Sequence, residues 1–390
     1  MARLGDVCDI LSGFAFKSEQ YVEEGIRIIR ITNVQKGYIE DSTPVFYPID
    51  SKDAKKYSLE EGDMLMSLTG NVGRVARLSK EFLPAALNQR VACLRIKDGV
   101  AIDKAFLFNL LSSDYFEQQC IAASKGVAQK NMSTEWLKEY EIPIFSMEQQ
   151  KAIASVLDKV SDLITLRKEQ LAKLDQLVKS LFIEMFGHPV TNEKCWEQGP
   201  LSACVESIDN GKSFVCDSEA RQGNWPAILK LSAATYGIYR PEENKALIDE
   251  NQFVEDAAVH AGDLLFTRKN TPELVGMCAY VYDTPCGLMM PDLIFRLNTT
   301  KRCNKIFLWR LINHDLFREC IQAIATGSAK SMSNISKERL LNLKVILPPM
   351  NLQEQFAAFV EQTDKSKLAI QKSLDKLELL KKSLMQQYFG

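Results

Sequence analysis

The sequence is poor in the features on which many enzymes and membrane proteins depend. It contains three well-separated histidines, and its ten cysteines form no Cys-x-x-Cys pair. A zinc site, a histidine-based triad and a disulfide framework are therefore poorly supported, and we expect the cysteines to be small apolar fillers in a reducing compartment. No apolar run reaches the roughly 18 residues of a spanning helix, and the N-terminus lacks the apolar core of a secretion signal. We expect a cytoplasmic protein without membrane contact.

Cofactor-binding motifs are also missing. The sequence has no Gly-x-Gly-x-x-Gly and no Asn-Pro-Pro-aromatic motif, which leaves methyl-donor binding and amino-group methylation unsupported. The segment Asn210-Gly-Lys-Ser213 resembles part of a phosphate loop, but Glu206 stands where that loop requires glycine. No Asp/Glu-x-Lys nuclease signature follows Pro291-Asp292. These absences favour a binding protein over an enzyme and predict no metal or cofactor on the chain itself.

The charge is balanced overall but uneven along the chain. Lysine and arginine total 48 against 50 acidic residues, a net charge of −2. Between residues 68 and 97, however, six basic residues face a single acid, Glu81. A local basic face can bind phosphates while the whole chain stays near neutral, although a solvated strand-and-turn surface gives the same pattern. The six basic residues are Arg74, Arg77, Lys80, Arg90, Arg95 and Lys97.

The most informative feature is an internal repeat. The segment ending at Gly187 and the segment ending at Gly390 both read Ser-Leu, then four intervening residues, then Phe-Gly, and they lie 203 residues apart. Further upstream, Asn-Met-Ser at 131–133 matches Asn-Ile-Ser at 334–336, and these two segments are also 203 residues apart in the sequence. Two copies of this length indicate a duplicated domain plus helix, because a solenoid has shorter and more numerous units. A pseudo-two-fold molecule follows naturally.

Each copy ends in a long amphipathic segment with apolar residues at heptad spacing. The first, 153–187, would form a helix of about 50 Å at 1.5 Å per residue, too long for one small domain. We expect the two helices to pair antiparallel, while dimerisation of each with another chain remains an alternative. The residues predicted to pair the helices are Leu157, Ile164, Leu171, Leu174, Val178, Leu181, Val360, Ile370, Leu374, Leu377 and Leu384.

The remainder of each copy reads as mixed α/β structure, of the α+β kind, with twisted sheets. Strands are predicted at 26–31, 91–96, 227–231 and 293–297, and one shorter helix in each copy at 104–120 and 305–320. The predicted organisation is a first globular domain at 1–147, a long helix at 148–187, a linker and second globular domain at 188–350, and a second long helix at 351–390.

Candidate binding residues are polar and lie in predicted loops. Arginine bonds guanine, asparagine and glutamine bond adenine, and lysine, serine and backbone amides suit phosphates. An ordinary turn or surface role is an equal alternative for any single residue, so the hypothesis rests on the recurrence of such sets in both copies. The candidates are Lys17, Ser18, Thr69, Asn71, Arg74, Arg77, Asn88, Gln89, Arg90 and Lys130 in the first copy, and Lys212, Ser213, Arg268, Lys269, Asn270, Lys330 and Ser331 in the second.

The ordered set of motifs resembles the specificity subunits of type I restriction-modification systems. The set begins with Gly-Phe-Ala-Phe-Lys-Ser at 13–18 and Ile-Arg-Ile-Ile-Arg-Ile-Thr-Asn at 26–33. It continues with Gly-Asp-Met-Leu at 62–65, Leu-Asn-Gln-Arg-Val at 87–91 and Glu-Gln-Gln at 148–150 before the long helix. The resemblance covers both copies at full length. In the second copy Asp-Asn-Gly-Lys-Ser-Phe at 209–214 replaces the first of these motifs.

The resemblance implies two target-recognition domains joined by two antiparallel helices that act as a ruler. Each domain would read one half of a bipartite, asymmetric site in double-stranded DNA. The chain would be non-catalytic, methyltransferase subunits would methylate adenine at N6, and motor-nuclease subunits would cleave unmodified DNA in defence against foreign DNA. S-adenosylmethionine, ATP and magnesium would belong to those partners. The alternatives are an enzyme with an unrecognised activity and a coiled-coil adaptor that binds proteins instead of DNA.

Overall fold

The computed structural model describes residues 1–124, 126, 130–327 and 332–390. The chain divides into two compact units. Unit 1 comprises Met1–Glu169 and Gln371–Gly390, and unit 2 comprises Gln170–Ile370. The first long helix therefore begins in unit 1 and ends in unit 2, whereas the second begins in unit 2 and ends in unit 1.

Unit 1 is built on a four-stranded antiparallel sheet of order β2-β8-β5-β6 and a three-stranded mixed sheet of order β4-β3-β7. Strands β1 and β9 form a separate antiparallel pair. The strands are β1 (Ala2–Arg3), β2 (Cys8–Ser12), β3 (Ile26–Ile29), β4 (Phe46–Tyr47), β5 (Met64–Ser67), β6 (Val75–Arg77), β7 (Ala85–Leu87), β8 (Val91–Ile96) and β9 (Glu141–Ile142). The helices are α1 (Leu4–Val7), α2 (Lys52–Lys56), α3 (Lys104–Leu111), α4 (Asp114–Ala123), α5 (Thr134–Glu139) and the start of α6 (Met147–Phe186).

Unit 2 repeats this topology with sheets of order β11-β18-β14-β16 and β13-β12-β17. Two further antiparallel pairs join β10 to β20 and β15 to β19. The strands are β10 (Glu197–Pro200), β11 (Val205–Asn210), β12 (Ala227–Leu229), β13 (Asn244–Ala246), β14 (Leu264–Thr267), β15 (Lys269–Asn270), β16 (Cys278–Tyr280), β17 (Leu288–Met289), β18 (Ile294–Thr299), β19 (Ser333–Asn334) and β20 (Lys344–Leu347). The helices are α7 (Ser232–Thr235), α8 (Lys305–Ile312), α9 (Asp315–Ala323), α10 (Lys337–Leu341) and α11 (Met350–Phe389).

The shared strand order confirms the predicted duplication and the mixed α+β fold class. Each of the four predicted strand segments contains or overlaps a strand, namely β3, β8, β12 and β18. In both units the three-stranded sheet contains one parallel pair, β3 with β7 and β12 with β17.

The prediction of a single shorter helix in each copy is wrong. Two helices stand in its place, α3 and α4 in unit 1 and α8 and α9 in unit 2. The break has a local cause, because the residue before the second helix caps it. The Ser113 side chain accepts a hydrogen bond from the backbone N–H of Phe116 at 3.1 Å, and His314 accepts one from Leu316 at 3.3 Å. Such polar caps end one helix and begin the next.

The ends of the long helices are part of the globular cores. In unit 1, Leu157 of α6 and Phe389 of α11 are buried in a cluster with Phe106 of α3. In unit 2, Phe182 of α6 and Phe356 of α11 are buried in the equivalent cluster. Large apolar residues at both ends of each helix, aromatic except at the unit 1 end of α6, thus anchor it by burying apolar area against the domain cores.

The two long helices form an antiparallel pair, and ion pairs cross between them. Lys168 lies 3.0 Å from Glu378 in unit 1, and Lys367 lies 2.5 Å from Asp175 in unit 2. Every residue predicted to pair the helices is buried or half-buried. Several of these residues pack on the domain cores, so the heptad pattern serves two purposes; they are Leu157 and Leu384 in unit 1, and Val178, Leu181 and Val360 in unit 2.

A buried glutamine ties each long helix to the globular part of its unit. Gln150 accepts a hydrogen bond from the backbone N–H of Asp103 at 2.8 Å and donates one to the carbonyl of Phe145 at 2.9 Å. Gln353 likewise accepts from the N–H of Asn304 at 2.9 Å and donates to a backbone carbonyl at 2.7 Å. Each glutamine therefore joins the first turn of a long helix to the start of α3 or α8.

Within the described part of the chain, no helix combines the length and the apolar character needed to cross a lipid bilayer.

Candidate nucleic-acid interface

Four segments of unit 1 meet at one end of its four-stranded sheet. Backbone hydrogen bonds join Gln89 N–H to Phe14 C=O at 3.0 Å and Leu68 N–H to Arg90 C=O at 3.0 Å. A third backbone hydrogen bond joins Gly70 N–H to Lys130 C=O at 2.9 Å. Because these bonds involve only the backbone, they bring the loops together whatever side chains the loops carry. We name this surface the unit 1 edge; it consists of residues 13–18, 68–71, 88–90 and 130–132.

Most candidates of the first copy lie on the unit 1 edge. Asn71, Gln89, Arg90 and Lys130 are exposed, as are Lys17 and Ser18, whereas Thr69 and Asn88 are half-buried. Among the described residues, no carboxylate forms an ion pair with Lys17, Arg90 or Lys130. These cations are thus available to a bound polyanion.

Two other candidates are held in different surroundings. Arg74 is half-buried, and its guanidinium donates to the side-chain oxygen of Gln35. Arg77 pairs with Met64 at the opposite end of β5 from the unit 1 edge, and its guanidinium lies 4.6 Å from the ring centre of Phe108. The structure therefore does not bring Arg77 to the other candidates.

The basic run at 68–97 does not form one face. Arg95 is tied to Asp63, with its Nε 2.9 Å from Oδ1, and Lys97 donates to the carbonyl of Gly5 at 2.6 Å. These bonds satisfy the two cations within the protein. The run divides because its residues lie on different strands and loops, and some of these lie at the opposite end of the sheet. Only Arg90 of this run belongs to the unit 1 edge.

Unit 2 has an edge built by backbone contacts that correspond to three of unit 1. In unit 1 these contacts join Phe14 N–H to Leu87 C=O, Leu68 N–H to Arg90 C=O and Met132 N–H to Leu68 C=O. Lys212 N–H bonds Met290 C=O at 3.0 Å, Arg268 N–H bonds Leu293 C=O at 3.0 Å, and Ile335 N–H bonds Arg268 C=O at 2.8 Å. We name this surface the unit 2 edge; it consists of residues 211–213, 268–270, 291–293 and 333–335. The two edges share their framework although their sequences differ.

The second-copy candidates differ in exposure. Lys212 and Ser213 are exposed, whereas Arg268 and Lys269 are half-buried. The Arg268 guanidinium is 4.9 Å from the ring centre of Phe295. The prediction that Asn270 contacts DNA does not fit its position, because Asn270 is buried and its side chain donates to Thr235 Oγ1 at 3.1 Å. Lys330 and Ser331 lie outside the described residues.

Glycine allows the first loop of each edge to approach its neighbour closely. A Cβ at Gly13 would lie 2.3 Å from the carbonyl oxygens of Leu87 and Asn88. A Cβ at Gly211 would lie 2.0 Å from the carbonyl oxygen of Pro291. Neither position can accept a side chain without moving backbone, which explains why glycine precedes the polar residues in both copies.

The prediction overlooked one residue of the unit 2 edge, Asp292. It is half-buried, and its carboxylate accepts a hydrogen bond from the hydroxyl of Ser213. Its position after Pro291 corresponds to that of Gln89 after Asn88 in unit 1. The sequence carried no signal for it, because an aspartate in a predominantly basic surface appears only to dilute the charge.

Six of the ten cysteines are buried. Burial raises the pKa of Cys8 and of Cys120 to about 12, which keeps both thiols protonated. The prediction of buried fillers is wrong for Cys195 and Cys286, which are exposed. No group of three or more His, Cys, Asp or Glu side chains within the described ranges could hold a metal ion.

Comparison with known proteins accounts for the duplicated architecture. The family described as the type I restriction modification DNA specificity domain matches residues 1–176 and again residues 196–381. The chain belongs to this family. The two matches together cover most of the chain and correspond to its two copies, which confirms the resemblance.

Individual relatives agree over different lengths. The MjaVIII type I specificity subunit of Methanocaldococcus jannaschii is 33% identical over 193 residues, which are 47% of this chain and 45% of that protein. The chain thus spans about half the length of this relative. The EcoKI specificity subunit of Escherichia coli K12 is 23% identical over 379 residues, 93% of this chain and 81% of that protein.

A solved structure shows the same fold. The type I restriction-modification S subunit from M. genitalium matches with a TM-score of 0.58 and 16% identity, covering 100% of this chain and 95% of that one. At this identity the likeness supports the architecture alone. The family match, and not the structural likeness, favours DNA reading over the adaptor alternative.

Proposed function

We propose that this chain reads a bipartite, asymmetric site in double-stranded DNA, with the unit 1 edge contacting one half-site and the unit 2 edge the other. The observation that carries the proposal is the combination of one backbone framework with two different sets of side chains. Gln89 and Arg90 of unit 1 have Asp292 and Leu293 as their counterparts in unit 2. Identical exposed surfaces would read a symmetric site, whereas these surfaces differ in charge and in hydrogen-bonding groups.

The exposed side chains of the unit 1 edge suit both kinds of DNA contact. Arg90 can donate two hydrogen bonds to guanine, and Gln89 can bond the N6 and N7 edge of adenine. Lys17 and Lys130 suit phosphates, which fix the register of a protein on the duplex but carry no sequence information. Phosphate contacts release counterions, so binding is expected to weaken steeply with salt.

The long helices supply a surface for partner subunits. Large apolar side chains of both helices remain exposed in each unit, and exposed apolar groups of this kind mark protein contacts. We propose that methyltransferase subunits cover them and that motor-nuclease subunits complete the complex. In unit 1 the exposed residues are Val156, Leu163, Leu166, Leu379 and Leu380, and in unit 2 they are Leu177 and Leu368.

In this proposal the chemistry belongs to the partners. The chain directs adenine-N6 methylation by the methyltransferase subunits and restriction by the motor-nuclease subunits, and it performs neither reaction itself. S-adenosylmethionine, ATP and magnesium would be bound by those subunits. The lack of the corresponding sequence motifs in this chain supports such a division of labour.

Methylation mapping tests the proposal directly. The methyltransferase subunit is expressed in a host with and without this chain, and N6-methyladenine is mapped across the genome. We expect one bipartite motif, methylated in both half-sites, only in cells that contain the chain. If no new motif appears while the assembled complex is present, or if the complex binds no DNA at low salt, the proposal fails and the adaptor alternative gains support.

A further inference from the structure

One position on the two edges carries opposite chemistry. In unit 1, Phe14 forms a parallel bridge with Asn88, and the next residue is Gln89. In unit 2, Lys212 forms a parallel bridge with Pro291, and the next residue is Asp292. A neutral amide of one edge is therefore replaced by a carboxylate in the other.

A second backbone contact supports this correspondence. The residue after Gln89 accepts a hydrogen bond from Leu68 N–H at 3.0 Å, and the residue after Asp292 accepts one from Arg268 N–H at 3.0 Å. The two loops are thus fixed on both sides by matching bonds. The difference between amide and carboxylate is a difference of side chain on one framework, not a shift of register.

Asp292 differs from the acids that stabilise the fold. Asp63 of unit 1 and Asp263 of unit 2 are buried, and each is paired with an arginine, at 2.6 Å and 3.0 Å respectively. Asp292 is partly exposed, and no cation among the described residues forms an ion pair with it. Its carboxylate bonds the hydroxyl of Ser213, which fixes one oxygen. No ion pair of the fold therefore explains this acid.

A carboxylate on a surface that binds phosphates is costly unless the DNA gives it a hydrogen bond. An ionised carboxylate is purely an acceptor, so it can bond only a donor on the bases. In the major groove such donors are the N4 amino group of cytosine and the N6 amino group of adenine. Adenine presents the acceptor N7 beside its amino group, which would repel the second carboxylate oxygen. Cytosine is therefore the better match.

We propose that Asp292, held by Ser213, determines specificity by accepting a hydrogen bond from the amino group of a cytosine in the half-site bound by unit 2. This inference rests on the proposed function of the unit 2 edge. It assigns an acidic residue a positive role in reading DNA and predicts that the base facing it is discriminated by charge as well as by hydrogen bonding.

The variant Asp292→Asn tests the inference in the full complex with methyltransferase subunits. Asparagine keeps the shape and the acceptor for Ser213, but it removes the charge and adds two donors. Binding is measured by competition among short duplexes in which each base pair of the mapped site is replaced in turn. We expect discrimination at one C·G pair of one half-site to fall on the order of tenfold. Affinity for unrelated DNA should stay equal or increase, because a repulsive charge is lost.

Two companion variants exclude simpler explanations. Asp283→Asn removes one charge from an exposed acid that follows β16 beyond the far end of the same sheet, and it should leave the preference at every position unchanged. Ser213→Ala frees the carboxylate of Asp292 and should weaken discrimination at the same base pair, to a smaller extent. Retention of the full preference by Asp292→Asn, or an equal change in Asp283→Asn, would overturn the inference.

The mapped site itself provides a further check. A half-site of unit 2 that contains only A·T pairs, or a loss of discrimination confined to an A·T pair, contradicts the assignment to cytosine. The proposed function has separate criteria, because it fails if the unsubstituted complex directs no new methylated motif or binds no DNA at low salt. The two failures are therefore distinguishable in one set of measurements.

Discussion

The two units show how one framework can carry two different surfaces. Their sheets have the same strand orders, and their edges are joined by equivalent backbone hydrogen bonds. The side chains at the surface differ instead, with Gln89 and Arg90 exposed in one edge and Asp292 and Leu293 half-buried in the other. The comparison shows that backbone and buried groups determine the shape of the edge, whereas exposed groups determine its chemistry.

Even the buried groups need not be matched position by position. Asp63 bonds Arg95, and the corresponding Asp263 bonds Arg296. By the pairing with β5 and β14, however, the counterpart of Arg296 is Cys93, two residues before Arg95. Residues two apart share a face of a strand, so an arginine from either position reaches the same acid. The interaction is repeated although the residue is not.

The largest expected effect comes from removing the buried glutamines that both units share. Gln353→Ala leaves the N–H of Asn304 and a backbone carbonyl without partners in a buried site. We expect the free energy of unfolding to fall by about 3 kcal/mol, since each unsatisfied buried group costs about 1–3 kcal/mol. Denaturant unfolding checks this, with exposed Glu354→Ala as control. Gln150→Ala should lower the free energy of unfolding by a similar amount. A decrease below about 1 kcal/mol for either variant would contradict the role of the glutamines in joining the long helices to the globular parts.

Replacement of the equivalent buried acids, Asp63 and Asp263, should destabilise the two units by different amounts. Asp63 accepts two bonds from Arg95 and one from the backbone, whereas Asp263 accepts one bond from Arg296 and one from the backbone. Bonds to charged groups contribute about 1.5–3 kcal/mol each. We therefore expect Asp63→Asn to destabilise by about 2 kcal/mol and Asp263→Asn by about 1 kcal/mol. Thermal unfolding of the two variants tests the order, and a reversed order refutes it.

Variants of the unit 1 edge test whether Arg90 contacts DNA bases or phosphates. Arg90→Ala should weaken binding to one half-site by about 1–3 kcal/mol and relax the preference there. Lys130→Ala is the matched comparison, because a phosphate contact lowers affinity on every sequence and reduces the salt slope by about 1. Titrations with permuted duplexes separate the two behaviours. Uniform loss in Arg90→Ala would place that residue on phosphate, and unchanged binding would remove it from the interface.

The repeat, the fold class and the long helices could be predicted from the sequence, because these features depend on periodic apolar residues and on the order of motifs. The polar residues of the sequence also identified the loops that form the unit 1 edge. The sequence failed where tertiary contacts decide, since nothing local shows that Arg77 lies at the far end of β5 or that Asn270 is buried against Thr235. Asp292 was missed because its meaning depends on correspondence with Gln89, which only the backbone pairing reveals.

The smallest expected effect concerns the caps at the start of α4 and α9. Burial lowers the pKa of His314 below its usual 6.5, against the opposing influence of the neighbouring Asp315, so the folded protein favours the neutral imidazole. The unfolded chain then binds a proton more readily than the folded chain, and the free energy of unfolding rises with pH in this range. The stabilisation is present above about pH 6.5 and is lost as the pH falls towards the folded-state pKa.

Serine performs the same capping in unit 1 without titrating, which suggests the variant His314→Ser. We expect it to retain the cap and to flatten the pH dependence of unfolding, by less than about 1 kcal/mol between about pH 5 and pH 7. Denaturant midpoints measured across this range for His314→Ser and for the parent protein test the prediction. If His314→Ser keeps the slope of the parent protein, the titrating group lies elsewhere, and the two caps are equivalent in pH response as well as in geometry.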